Sequence, residues 1–315
     1  MLHTYPPGRD ITSSDLIWVD LLEPTQEETK AVERQFDVRV PSQEDLAEIE
    51  TSSRLRSDAK CIAVSMPVAP LVHPDELPTA IGFLLTEKIL VTVRFAELRV
   101  FDGCKAQFNQ LSPATPAEAF TGLLEEMVDV GADVLEQTEE ELTKISRRVF
   151  RRYSTQRQHN LARSNRALRE VLVSVGENGE RISDIRDSML GLQRIIPFVI
   201  DKAGTRFGQD IVARLKTQAQ DLQSLTDFEI HLSNKVQFLL DAVLGFINTE
   251  QNDIFKVLTI VSVVGIPPTF IASWYGMNFH FIPEYAWIWG YPAVISLTAL
   301  SVILPAAWFK WRGWW

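Results

Sequence analysis

Gly276, Met277 and Asn278 stand together in the stretch YGMNFHFIPE, which runs from Tyr275 to Glu284 between two long apolar runs. An amide at the end of an apolar run offers carbonyl oxygen without a full charge. Mg2+ prefers oxygen partners and gives up its inner water reluctantly. A ring of Asn side-chain and Gly backbone carbonyls can accept hydrogen bonds from the water shell of such an ion without stripping it. A ring of carboxylates would bind tightly and slow release, whereas conduction needs a site weak enough to leave. Gly276 lets the backbone come close to an axis and lets a helix end there. Tyr275 can brace the loop by stacking or through its hydroxyl. A ring of His280 side chains would bind transition metals. The plainer reading, an exposed loop residue, is the one favoured here.

Two apolar helices must hold these groups. Val257 to Tyr275 is 19 residues without a charge, ~28 Å as a helix and about one hydrocarbon core. Ala286 to Phe309 is 24 residues, ~36 Å and enough to cross with some tilt. Between Val257 and Phe309 there is no Lys or Arg, and Glu284 is the one carboxylate. A buried helix pair in a soluble protein is the alternative. It is disfavoured because such helices seldom run this long without a charged edge. Lys256 precedes the first span, Lys310 and Arg312 follow the second, and the loop between carries no basic residue. The positive-inside rule then expects both termini in the cytoplasm of a multi-pass protein in the inner (plasma) membrane. Trp287, Trp289, Tyr291, Trp308, Trp311, Trp314 and Trp315 are expected to form aromatic belts in the lipid bilayer. Pro267 and Pro268 are expected to interrupt span one. A proline frees a carbonyl, which must find a partner or line a wet cavity, so span one is the expected pore-lining helix.

The polar region ahead of these spans begins as an α/β layer. Leu16–Leu22 reads as a strand, and Thr25 with Glu28 reads as a capping box opening a helix. Ala59–Val68 and Thr79–Arg94 read as further strands, rich in β-branched residues. From Ser112 the pattern is helical, with Thr115, Pro116 and Glu118 as cap, first-turn proline and N3 carboxylate. That helix starts acidic and turns basic, and Arg163, Arg166 and Arg169 continue the basic run on the next segment. The expected arrangement is a solvated hairpin whose two signs pair. GENG at Gly176–Gly179 is its turn or a loop within a longer helix. A last helix starts near Phe207. Leu215, Leu222, Val236 and Val243 repeat at seven, as do Leu225, Leu232, Leu239 and Phe246, with one break at Glu229. A seam feeding a spanning helix implies parallel copies of the chain around an axis, beside any packing on the α/β domain.

The net charge of -10 argues against nucleic acid as a partner and mildly for cations. Cys61 and Cys104 form no CxxC, which fits a reducing compartment and two inert, buried thiols. The first residues, MLHTYPPGRD, do not read as a cleaved signal peptide. The five histidines form no HExxH, and there is no Walker loop, GxGxxG or GxSxG. A membrane-tethered enzyme or sensor therefore has no support, and no cofactor is expected.

YGMNF, a loop with PE, two C-terminal spans and a basic tail together make the chain resemble the CorA family of divalent-cation transporters. WVDLLEPTQEE, ILVTVRF and KVLTIVSVVGIPPTFIASWYGMNF extend the resemblance over most of the chain. It implies a funnel-shaped homopentamer whose α/β cytoplasmic domain is followed by a long stalk helix and two transmembrane helices. The expected segments are 1–205 (α/β and helical hairpin), 206–256 (stalk), 257–275 (first span), 276–285 (outer loop), 286–309 (second span) and 310–315 (basic, aromatic tail). The implied cargo is Mg2+, with Co2+ and Ni2+ as lesser substrates. Gly276, Met277 and Asn278 would form the selectivity ring, with Tyr275, His280 and Glu284 in the outer loop. Thr269, Ile266 and Leu258 would line the pore, with Asn252 and Asp241 as polar and acidic rings below. Mg2+ as a regulatory ion would close the channel at acidic sites between neighbouring copies, for which Asp210, Asp221, Asp227, Asp75 and Glu76 are the candidates. Two departures stand out. His280 replaces an acidic residue, and the basic tail is short. The alternative is a Zn2+ or Co2+ transporter of the same build, with proton coupling as a variant, although the intact Met277 favours the magnesium branch.

Overall fold

The structure is a computed structural model. It describes residues 1–48, 50–69, 79–110, 113–155, 161–277 and 287–314, without the side chains at 51–52, 106–107, 109–110, 152–155, 161–165 and 205. The strands are β1 (Leu2–Tyr5), β2 (Trp18–Leu22), β3 (Leu55–Ser57), β4 (Cys61–Val68), β5 (Thr79–Thr86) and β6 (Leu90–Arg94). The helices are α1 (Gln26–Phe36), α2 (Gln43–Ala47), α3 (Thr51–Arg54), α4 (Arg99–Gln110), α5 (Pro116–Thr155), α6 (Leu161–Ala203), α7 (Gln209–Tyr275) and α8 (Gly290–Trp311). The chain divides into two compact units, one of residues 1–155 with 171–239 and one of residues 156–170 with 240–315.

The first unit is built on a six-stranded sheet in the order β1-β2-β6-β5-β4-β3. Among the described strands only β2 and β6 pair in parallel, with Asp20 opposite Thr92. Alternate residues serve opposite faces. Val19, Leu21, Val91 and Val93 pack with Val32 of α1 and Leu46 of α2. On the other parity, Trp18 meets Phe101 of α4 at 5.7 Å and Phe83 meets Phe120 of α5 edge-on at 5.5 Å. The sheet therefore has helices on both faces.

Local signals set several boundaries. Glu28 N–H donates to Thr25 Oγ1 at 3.2 Å and Thr25 N–H donates to Glu28 Oε2 at 2.8 Å, the capping box expected from the sequence. Thr115 caps α5 by accepting from Glu118 N–H at 3.2 Å. Elsewhere packing overrides composition. Gly176–Gly179 lies inside α6 and is not a turn. α5 is described as far as Thr155 and α6 from Leu161, and residues 156–160 lie outside the described residues. Gly179 is compatible with a helix interior because α7 approaches there; a Cβ added to it would lie 3.4 Å from Val236 Cγ1.

The second unit contains the two apolar helices. Pro267 and Pro268 do not interrupt the first of them, since α7 is helical through both to Tyr275. The proline rings remove the amides that would serve the carbonyls four residues back, yet a helix in lipid keeps its path where other groups satisfy them. Thr269 Oγ1 donates to the Gly265 carbonyl at 2.7 Å, next along the helix from the Val263 and Val264 carbonyls that the prolines leave without an amide. The second helix starts at Gly290, after a turn in which Gly290 N–H donates to Trp287 O at 2.9 Å. Its 22 residues span ~33 Å, still enough to cross.

Candidate functional site

Two stripes run along α7. The first is the apolar seam, with Leu215, Leu222, Leu232, Val236, Leu239 and Val243 buried and Leu225 and Phe246 half-buried. In the first unit the chain's own helices cover it. Gln193 of α6 donates to Thr226 Oγ1 at 2.7 Å, and Lys235 donates to Thr143 Oγ1 of α5 at 2.7 Å. Arg214 holds Glu125 of α5 through Nε at 2.8 Å. The seam up to Leu239 is thus a three-helix core within one chain, and not a surface left for parallel copies. The break at Glu229 belongs to it: this carboxylate is 1% exposed. Ser233 Oγ donates to its Oε1 at 2.8 Å, and Arg186 stands 4.0 Å from Oε2.

The second stripe carries the candidate pathway. Asp241, Asn252, Ile266, Thr269 and Gly276 are all exposed. Their spacings fit a repeat of about 3.5 residues, which places them along one side of the helix. Leu258 lies at the edge of this side, 60% exposed, and Ile266 is 65% exposed. The apolar seam did not point to Asp241. The signal that finds it is a second sevenfold series, Asp241, Asn248, Phe255, Ser262 and Thr269, which is polar or small at four positions of five. Where the helix ends, Gly276 N–H donates to Ala272 O at 3.0 Å and Met277 N–H to Trp274 O at 3.4 Å. Tyr275 is half-buried and Met277 is 45% exposed. A Cβ on Gly276 would sit 3.0 Å from the Ala272 carbonyl, so the close turn favours glycine. Asn278, His280 and Glu284 lie outside the described residues.

Asp210, Asp221 and Asp227 are exposed on α7, and Asp75 and Glu76 lie outside the described residues. Asp221 belongs to an acidic patch that sequence reading did not assemble. Burial, then Glu125, Asp133 and Asp221, hold the Asp129 carboxyl above the usual carboxylate range. Burial, then Asp129 and Asp133, raise Glu126 likewise. The spacing of Glu125, Asp129 and Asp133 along one helix face was the available signal. Among the described residues, no three His, Cys, Asp or Glu groups of one chain are placed to hold a metal ion.

Acidic and basic halves of α5 do not simply pair with each other. Glu125 pairs with Arg214 of α7 and Glu141 with Arg181 of α6. Among the basic residues, Lys144 takes Glu140 at 3.1 Å and Arg166 takes Glu170 at 3.4 Å. Both cysteines are free thiols. Burial raises the Cys61 thiol to about 11 and pushes Cys104 higher still, which makes both poor nucleophiles.

The apolar part of α7 and the whole of α8 are long and apolar enough to cross a membrane, and the rest of the chain leaves them almost uncovered. At the end of α8, Trp308 and Trp311 are 47% and 83% exposed, and Arg312 stacks on Trp308 at 5.5 Å. An α/β sheet domain, one long helix and two bare apolar C-terminal helices define a two-span membrane protein. The chain belongs to the CorA-like Mg2+ transporter family, whose model matches residues 13–311. This is a family of ion transporters, not of enzymes. The chain is 30% identical over 303 residues to the magnesium transport protein CorA of Salmonella typhimurium, covering 95% of this chain and 92% of that one. It is 29% identical over 306 residues to the protein of the same name from Mannheimia succiniciproducens, covering 96% and 93%. Its fold matches the CorA magnesium transporter structure from Methanocaldococcus jannaschii with a TM-score of 0.75 at 17% identity, covering 98% and 95% of the two chains.

Proposed function

We propose that this chain carries Mg2+ across the inner (plasma) membrane as a homopentameric channel, with Co2+ and Ni2+ as lesser cargo and both termini in the cytoplasm. The observation that carries the reading is the second stripe of α7. Asp241, Asn252, Ile266 and Thr269 share one exposed side of a helix that ends at Gly276 and Met277. Five such helices around an axis would turn these positions into rings. Leu258 and Ile266 would make apolar constrictions that stop ions by shedding water, and Asn252 and Asp241 would hold ions on the inner side. Gly276, Met277 and Asn278 form the outer ring, where neutral oxygens hold a hydrated ion weakly. The names of the relatives support Mg2+ as the cargo.

Regulation follows the same electrostatics. The acidic patch of Glu125, Glu126, Asp129 and Asp133 with Asp221 is a place where like charges repel, as the raised carboxyls of Glu126 and Asp129 record. A cytoplasmic Mg2+ shared with carboxylates of a neighbouring copy would relieve that repulsion and favour the closed state. Mg2+ uptake into proteoliposomes tests the reading. The wild-type chain takes up the ion, Asn278→Ala loses uptake, and Mg2+ on the cytoplasmic side slows it. Uptake unaffected by Asn278→Ala overturns the assignment of the ring.

A further inference from the structure

We propose that the start of α6, with Arg163, Arg166 and Arg169, is a docking surface for the anionic headgroups of the cytoplasmic leaflet. The inference rests on the membrane orientation given above. The sequence supplies the charge. Residues 144–170 hold nine Lys and Arg residues against one carboxylate, Glu170, in a chain whose net charge is -10. Local concentration of one sign against the trend of the whole chain calls for a counter-charge. The acidic half of α5 gives Glu140 to Lys144, while its Glu125 and Glu141 are held by Arg214 and Arg181.

The placement supplies the partner. Residues 156–170 form one compact unit with residues 240–315, which contain both membrane helices. The rest of the hairpin belongs to the sheet unit. The same unit holds Lys310 and Arg312 with exposed Trp308 and Trp311, the groups that mark a headgroup boundary. Arg166 and Arg169 are exposed. Arg166 meets only its own helix neighbour Glu170, and Arg169 is in no ion pair among the described residues. Residues three apart lie along one side of a helix. The exposed guanidiniums of Arg166 and Arg169 match phosphate oxygens, which such groups bind in bidentate fashion. Cationic residues beside an anionic leaflet are attracted over about one Debye length, ~10 Å at moderate salt.

The test uses the full chain in nanodiscs, read by amide hydrogen exchange over residues 156–170. One set of discs is phosphatidylcholine alone, and the other contains about one third phosphatidylglycerol. The proposal expects exchange at least several-fold slower in the anionic discs, restored by high salt and absent in the triple variant R163Q/R166Q/R169Q. Equal exchange in both discs overturns it. So does slowing that appears in neutral discs, which would mean protein contacts, or only on adding RNA, which would mean a nucleic-acid surface. The amides of 257–275 and 290–309 serve as the control. Their protection in both discs with no lipid effect at 156–170 sinks the docking surface alone, whereas unprotected spans sink the membrane reading and the docking surface with it.

Discussion

Asp20 and Arg94 form an ion pair inside the sheet domain, with Arg94 NH2 2.9 Å from Asp20 Oδ2 and side-chain exposures of 0% and 3%. The pair is completed rather than merely close. Thr92 Oγ1 donates to Asp20 Oδ1 at 2.8 Å, Trp18 Nε1 donates to Thr92 Oγ1 at 3.0 Å, and Arg94 NH1 donates to Ala96 O at 3.0 Å. The Arg94 guanidinium also lies over the Phe101 ring at 4.2 Å. Removing one charge would leave the other buried. Asp20→Ala should therefore cost about 3–5 kcal/mol, seen as a lower thermal midpoint of the detergent-solubilised protein. A midpoint within error of wild type would show that water replaces the carboxylate.

Gly191 of α6 stands against β4. A Cβ there would lie 2.7 Å from Met66 Cβ, a backbone-proximal atom that cannot swing away. Gly191→Ala gains helix propensity but must separate helix from strand, at about 1–3 kcal/mol for the overpacking. A lower midpoint is expected, and Met66→Ala in the same chain, which keeps the clashing Cβ, should leave most of the loss in place.

Glu229 breaks the apolar seam while remaining buried, and its Oε2 accepts no hydrogen bond. Its cationic neighbour Arg186 is 58% exposed and can return to water. Glu229→Leu should complete the seam and stabilise the helical core by about 1 kcal/mol or more. Loss of stability instead would mean that the Ser233 bond and the Arg186 charge outweigh the buried apolar surface.

The acidic patch makes a prediction about pH. Glu126 and Asp129 hold protons more tightly in the folded chain than carboxyls do in the unfolded chain. Their repulsion costs stability at neutral pH and is relieved as pH falls through the raised folded values. Acidifying from neutral pH towards the ordinary carboxylate range should then raise the midpoint measured without Mg2+. Asp129→Asn should flatten that dependence. If Mg2+ binds the patch, adding it at neutral pH should stabilise the wild type more than this variant.

Much of the architecture was legible because its signals are local. Thr25 and Glu28 sit at capping-box spacing, the β-branched run from Thr79 to Arg94 reads as strand, and an uncharged run of span length can be counted. β1 was missed because LHTY becomes a strand only by pairing with β2. α4 was missed because its value lies in burying Phe101 and Cys104. The glycines at 176 and 179 carried a real turn signal, which the packing of α6 on α7 overrode. The Asp20–Arg94 network was invisible for another reason: its partners are 74 residues apart. Along the candidate pathway, the apolar period found the buried seam and hid the polar stripe, since the eye follows leucines. Asn278 was chosen for its place after a span, and its setting lies outside the described residues.

The central claim is that neutral oxygens beyond the first span pass a hydrated Mg2+. The most direct measurement is Mg2+ uptake by proteoliposomes containing the full chain, compared with Asn278→Ala at equal incorporation. The account predicts uptake by the wild type that falls at least about tenfold in the variant, the effect of losing roughly 1.4 kcal/mol or more at the ring. Uptake that persists at the wild-type rate in Asn278→Ala would contradict it.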